Sequence, residues 1–236
     1  MDIPQSSVTN RLLTKMSAPD FALLAPHLAP VNFEKRDTLS HFGKAIKKSY
    51  FIEQGMASVV ATTASGSQTE VGLIGREGMV DVMSILGGRR AALEVFIQAQ
   101  GSGFVLPSIV VQEAIDTSVS LRHMLLAFAQ SFLIQVSHTA VAAASLPIKG
   151  RLARWLIMCA DRVGGDVIPM THDFLSIMLN VRRPGVTGAL NLLQREGAIQ
   201  AGRGVVAILD RPALLTLAGD TYGEAEAVYS ELLGPS

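Results

Sequence analysis

A chain with one cysteine, Cys159, can form no internal disulfide, and it cannot hold a zinc or iron–sulfur centre that needs several thiolates. Charge is also sparse. Lys plus Arg and Asp plus Glu stand at 20 each, so the net charge alone names no partner. The N-terminus, MDIPQSSVTNRLLTK, lacks a basic stretch followed by an apolar core, so no secretory signal is visible and a cytoplasmic protein is expected. Nucleophile–base groupings, metal-ligand spacings and phosphate-loop motifs are missing as well. Catalysis is therefore not implied, and no metal or cofactor is expected. What the chain does have is apolar bulk: 49% of its residues are hydrophobic, enough for a sizeable core and against disorder.

The balanced total hides an uneven distribution. Residues 1–146 carry eleven basic and eleven acidic side chains, residues 147–209 carry eight and four, and the tail from Asp210 carries one and five. A basic block between neutral and acidic neighbours is compatible with a polyanionic partner, although a solvated mixed face has a similar composition.

Texture divides the chain into three parts. Residues 4–29 hold short apolar clusters broken by Pro4, Pro19, Pro26 and Pro30, which fits short helices. From Val31 to about Leu106, strand-like runs (YFIEQ, ASVVATT, TEVGLIG, LEVFIQA, FVLP) recur every ten residues or so, as in an antiparallel sandwich or jelly roll. TTASGSQTE reads as a hairpin loop between two of them. After Pro107 the pattern turns helical, with Ser108 as a cap for SIVVQEAID and then a long apolar stretch that reaches Pro147. Gln130, Ser131, Gln135, Ser137 and His138 interrupt that stretch and argue against a membrane span, since lipid offers them no partners. A long helix that buries one face on the sandwich and another on a partner helix accounts for it. Leu121, Leu125, Phe128 and Phe132 then become the expected homodimer interface. The expected organisation is a sensor domain over 1–116, a dimerisation helix over 117–146 and a third domain over 147–236, an α+β chain overall.

The third part carries the most specific pattern. In THDFLSIMLNVRRPGVTGALNLLQREGAI, Thr171 is a natural N-cap for a short helix and Asn180 suits a turn. Pro184 fits the first turn of a second helix that Gly197 ends. Val186, Leu190 and Leu193 mark its inner face. AIQA and VVAIL then flank Gly202-Arg203-Gly204 as a hairpin, and Asp210 can cap RPALLTLA. Two short helices joined by a tight turn and followed by a wing make a winged helix-turn-helix. Arg182 and Arg183 stand where the second helix begins, and arginine offers the fork that guanine O6 and N7 accept. Thr187, one turn along, can reach a base edge, while Thr171 and Arg203 suit phosphates. Double-stranded DNA is the expected partner. The rival reading is a ligand-binding protein whose winged helix contacts protein.

Across nearly its whole length, through EVGLIGREGMVDVMSILGG and THDFLSIMLNVRRPGVTGALNLLQREGAI, the chain resembles the Crp/Fnr family of bacterial transcription regulators. The resemblance puts Arg183 at a base-contacting position. It also shows departures: Pro184 replaces the glutamate that usually follows, and a later arginine is replaced near Gly188. In members that bind cyclic nucleotides, a Gly-Glu pair holds the ribose and an Arg-Ser or Arg-Thr pair holds the phosphate. Here those positions fall near Val82 or Met83 and on Glu94-Val95. A carboxylate facing a phosphate is repulsive, so cyclic nucleotide is disfavoured and the effector is unknown. Arg89, Arg90 and Glu94 remain the candidate effector pocket in a shifted register. His41, His123 and His138 show no spacing diagnostic of haem ligation, and Cys159 reads as a core residue. RNA polymerase is an expected partner if the protein activates.

Overall fold

The computed structural model describes residues 3–170 and 174–234 in full, and the backbone of 172 and 173. Helices α1 (Arg11–Lys15) and α2 (Ala18–Leu24) open the chain. Asn10 caps α1 by accepting from the Leu12 and Leu13 amides, and its own amide donates to the Ile52 and Gly78 carbonyls. One buried side chain therefore both starts the helix and ties it to the sheet. Pro19 stands in the first turn of α2, where its missing N–H costs nothing, so it begins a helix there.

Six strands follow: β1 (Ala29–Phe33), β2 (Thr38–Ser40), β3 (Lys48–Thr62), β4 (Gln68–Ile74), β5 (Met79–Val80) and β6 (Glu94–Pro107). The one-turn helix α3 (Val82–Ile85) lies between the last two. Every pairing is antiparallel. β3 and β6 run side by side along the domain, with β1 and β5 flanking one end and β2 and β4 the other. YFIEQ and ASVVATT are thus one strand, and LEVFIQA and FVLP another. The glycines that resemble breaks are bends within continuous strands. Register slips between Ile52 and Ala57, where Gly55 has φ +86° and a Cβ on Gly101 would lie 1.9 Å from the Gln54 carbonyl oxygen. The loop between β3 and β4 is the expected hairpin.

Helices α4 (Ser108–Thr117) and α5 (Val119–Ser145) come next. Pro107 is the cap residue of α4, and the Ser108 hydroxyl donates instead to the Ile46 carbonyl at 2.9 Å. α5 packs its inner face on the sheet through two glycine slots. A Cβ on Gly72 would lie 2.8 Å from the Phe132 ring, and one on Gly78 would lie 2.4 Å from Phe128. Below them, Gln135 pairs with the backbone of Leu73, accepting from its N–H at 2.6 Å and donating to its carbonyl at 3.2 Å. A side-chain amide thus does for edge strand β4 what another strand would do. By length and hydropathy α5 alone among the described helices would pass as a membrane span. Its inner residues are nevertheless committed to protein core.

That commitment corrects the expected dimer interface. Leu121, Leu125, Phe128 and Phe132 are all buried in the chain's own core and are not open to a partner. The outward stripe is Val119, Leu126, Leu133 and Val141; Leu133 is 64% exposed where its neighbour Phe132 is 5%.

The remaining elements are α6 (Ile148–Val163), β7 (Val167–Pro169), α7 (His172–Met178), α8 (Arg183–Arg195), β8 (Ile199–Gly202), β9 (Val205–Ile208), α9 (Arg211–Ala218) and α10 (Glu224–Leu233). They do not form a detached unit. Met56, Leu73 and Ala99 from the sheet share one apolar cluster with Trp155, Leu156 and Cys159 of α6 and with Val186 and Leu190 of α8. α10 lies along α5, and the Tyr229 hydroxyl donates to the Glu77 carbonyl at 2.8 Å.

Candidate nucleic-acid interface

The turn between α7 and α8 is built by Asn180, whose φ of +49° is one that Asn tolerates better than most residues. Its amide donates to the Ile177 carbonyl at 3.2 Å, and Val181 N–H donates to the Ser176 carbonyl at 3.1 Å. Arg151 of α6 donates to the Leu179 carbonyl at 3.1 Å, which fixes the turn to the domain core. α8 then starts with Arg182 at the cap and Pro184 in the first turn. Val186, Ala189, Leu190 and Leu193 are buried, which holds the opposite face of the helix outward. Gly197, at φ +75°, turns the chain into the hairpin.

Arg182 and Arg183 are exposed at the N-terminal end of α8, and no acidic residue stands in that first turn. Cations there are the wrong sign for the helix dipole and cost the isolated helix roughly 0.3–1 kcal/mol. An external anion reverses that sign, because it meets the positive end of the helix and the cations that stand there. Thr187 is half-buried one turn along. Asn191, a further turn on and exposed, does not stand out in the sequence, although its amide has the donor–acceptor pair that adenine N6 and N7 require. The signal that could have found it is the i, i+4 spacing from Thr187.

The wing is clamped at both ends. Ala201 N–H donates to the Gln194 side chain at 2.9 Å, and Met170 N–H donates to the Gly204 carbonyl at 2.8 Å. Arg203 is exposed between Gly202 and Gly204, at the tip. Arg182, Arg183 and Arg203 thus belong to one small unit held by a common core. Asp210 caps α9 as expected, accepting from Ala213 N–H at 2.9 Å. Thr171, the expected cap of α7, lies outside the described residues.

The basic block is smaller at the surface than its sequence count suggests. Arg154 and Arg162 are buried. Lys149 pairs with Glu196 at 2.8 Å, and Arg151 is engaged with Leu179. The exposed arginines of this block are Arg182, Arg183, Arg195 and Arg203.

The candidate effector pocket is corrected by the structure. The hollow under α3 has a volume of only about 20 Å³, and Arg89, Arg90 and Glu94 do not line it. Arg90 is spent on the Gly43 carbonyl, to which its Nε and one Nη donate at 3.1 and 2.9 Å. The hollow's charged lining residue is Asp81, held at φ +74°, its pKa pushed up to about 6 by burial, with a Ser40 hydrogen bond pulling the other way. Val82, Met83 and Leu93 make most of the remaining wall apolar.

Comparisons with known proteins agree with this architecture. Residues 30–118 match the cyclic nucleotide-binding domain and residues 150–217 the Crp-like helix-turn-helix domain. Among solved structures, FixK2 from Bradyrhizobium japonicum superposes with a TM-score of 0.71 at 14% identity, over 81% of this chain and 98% of that one. TTHA1359, a CRP/FNR-family transcriptional regulator from Thermus thermophilus, gives 0.66 at 22% identity, over 80% and 98%. The c-di-GMP responsive global regulator CLP from Xanthomonas campestris gives 0.66 at 16% identity, over 81% and 99%. At these identities the likeness is one of fold. No curated protein matches the chain by sequence.

Proposed function

The chain belongs to the Crp/Fnr family of transcription regulators, and we propose that it reads a two-fold DNA site as a homodimer without cyclic-nucleotide control of the usual geometry. The observation that carries the reading is the exposed Arg182–Arg183 pair at the open end of α8, beside the wing arginine Arg203. Arg183 forks onto a guanine, Arg182 and Arg203 hold phosphates, and Thr187 meets a base edge one turn deeper in the major groove. We assign residues 1–116 to sensing, 117–146 to dimerisation and 147–236 to reading. Reading chromosomal DNA places the protein in the bacterial cytoplasm, and an activating outcome adds RNA polymerase as a partner.

The dimer seam runs along the outward face of α5. Val119, Leu126 and Leu133 recur at seven-residue spacing, the repeat that lets two helices keep one stripe in contact. Two such chains set their recognition helices for half-sites about one helical turn apart. Against a cyclic nucleotide stands the small hollow beneath α3, which has room for about one water molecule and has the carboxylate Asp81, but no Lys or Arg, in its lining.

Selection of bound duplexes from a random pool tests the reading. The expected product is a two-fold site, bound by wild type with a steep salt dependence. The Arg182→Ala/Arg183→Ala variant is expected to lose at least about a hundredfold in affinity for it while remaining dimeric. Unaltered affinity in that variant overturns the assignment of α8 as the reading helix.

A further inference from the structure

A second hollow, of about 380 Å³, shares the Phe132 side chain with the small one and lies where the sheet, α5, α6 and α10 meet. Its apolar walls are Leu73, Phe128 and Phe132 on one side and Tyr229 on the other. The chain's own contacts account for most of the charges around it. Glu77 pairs with Arg162 at 2.9 Å and accepts from Gly75 N–H at 3.1 Å, and Asp161 is held by Arg211 and Tyr222. Glu226 acts electrostatically on Arg162 and Arg154.

Two lining cations remain, Arg11 and Arg76. They are brought together by the backbone bond from Arg11 N–H to the Arg76 carbonyl at 2.7 Å. The Arg76 Nε is buried and has no hydrogen-bond partner. Buried donors are normally paired, and this one belongs to a side chain that lines the cavity. A cavity with apolar walls and two arginines in its lining is chemically a site for a ring bearing an anionic group.

We propose that this cavity binds a small aromatic acid, its carboxylate on Arg76 and Arg11 and its ring between Phe132 and Tyr229. The site is separate from the hollow under α3. Its walls come from the sensing sheet and from α6 and α10 of the reading half, so an occupant bridges the two. That regulatory consequence rests on the function proposed above, whereas the binding chemistry does not.

The test uses the full chain and 8-anilinonaphthalene-1-sulfonate, a fluorescent aromatic anion. Saturable binding to one site per chain is expected, displaced by 1-naphthoate and not by the uncharged 1-naphthalenemethanol. Arg76→Gln is expected to weaken binding roughly tenfold or more, with its thermal midpoint unchanged. Ala225→Trp, which fills the cavity from its α10 wall, is expected to abolish it. Binding of equal strength in the Arg11→Gln/Arg76→Gln double variant overturns the proposal, as does absence of binding in wild type or equal displacement by the alcohol. Duplex affinity measured on the same wild-type preparation separates the two claims. Failure to bind any DNA leaves the anion titration unaffected, and failure of the titration leaves DNA reading intact.

Discussion

On α6, Arg154 and Arg162 are 6% and 7% exposed; on α8, Arg182 and Arg183 stand in solvent. All four come from one basic block of the sequence. Arg154 donates to the Thr221 carbonyl at 2.7 Å and the Thr139 hydroxyl at 3.1 Å, so it staples α6 to its neighbours. Burial pulls its pKa down to about 10, with Glu226 opposing. Burial also opposes the charge of Arg162, yet Glu77 and other carboxylates more than offset it and hold its pKa above the ordinary value. On α8 no acidic residue stands in the first turn, and the helix dipole adds to the cost of the charge. The lesson is that a cation's use is set by what surrounds it. Composition locates arginines, and packing decides which of them can face another molecule.

The comparison breaks most easily at Arg162. Replacing it by Met leaves Glu77, whose side chain is mostly buried, without its counter-charge, and stability is expected to fall by about 3 kcal/mol. The thermal midpoint then drops by more than about 6 °C, while Arg182→Ala/Arg183→Ala stays within about 2 °C of wild type. Equal midpoints in the two variants would erase the distinction between the buried and the exposed arginines.

Glu70 sharpens the contrast through pH. Its carboxylate accepts from the Trp155 indole at 2.5 Å at the junction of the sheet and α6. Burial raises its pKa from 4.5 to about 7, against the pull of Ser58, Trp155, Arg162 and Arg154. The unfolded chain releases the proton first. Stability is therefore whole below about pH 4.5, declines as pH rises through the window, and above 7 has lost about 3 kcal/mol. Glu70→Gln removes the decline. Urea midpoints at pH 5 and pH 8 should differ in wild type far more than in the variant, and identical differences would mean that water reaches this carboxylate.

The smallest effect belongs to Gly188, in the exposed part of α8, where a Cβ would meet nothing within 4 Å. Gly188→Ala is expected to add roughly 0.5–1 kcal/mol by helix propensity alone. A fall in the thermal midpoint would show that the backbone at 188 is under a constraint that the free chain does not reveal.

The reading domain is the most legible part of the sequence because its signals are local. Asn180, Pro184, Gly197 and Asp210 each act on the backbone within a few residues, and each stands where its chemistry suggests. The sheet is legible in kind but not in strand count, since Gly55 and Gly101 bend strands that composition alone would cut. The outward stripe of α5 is hidden because apolar residues lie on both of its faces. Phe132 and Leu133 are adjacent, and periodicity cannot say which of them meets the sheet. Only Gly72 and Gly78, far away in the chain, settle it. The same holds for Arg154 and Arg162, whose partners come from Thr221 and Glu77, 67 and 85 residues away.

Phe132 has a wider consequence. Its side chain lines both hollows, and its ring lies in the slot that Gly72 leaves open. One side chain thus bears on both volumes. A side chain larger than hydrogen at position 72 pushes on that ring and on the Gln135 amide beside it. Gly72 is therefore a position on a neighbouring strand from which the walls of two hollows are moved at once, outside the exposed arginines of α8.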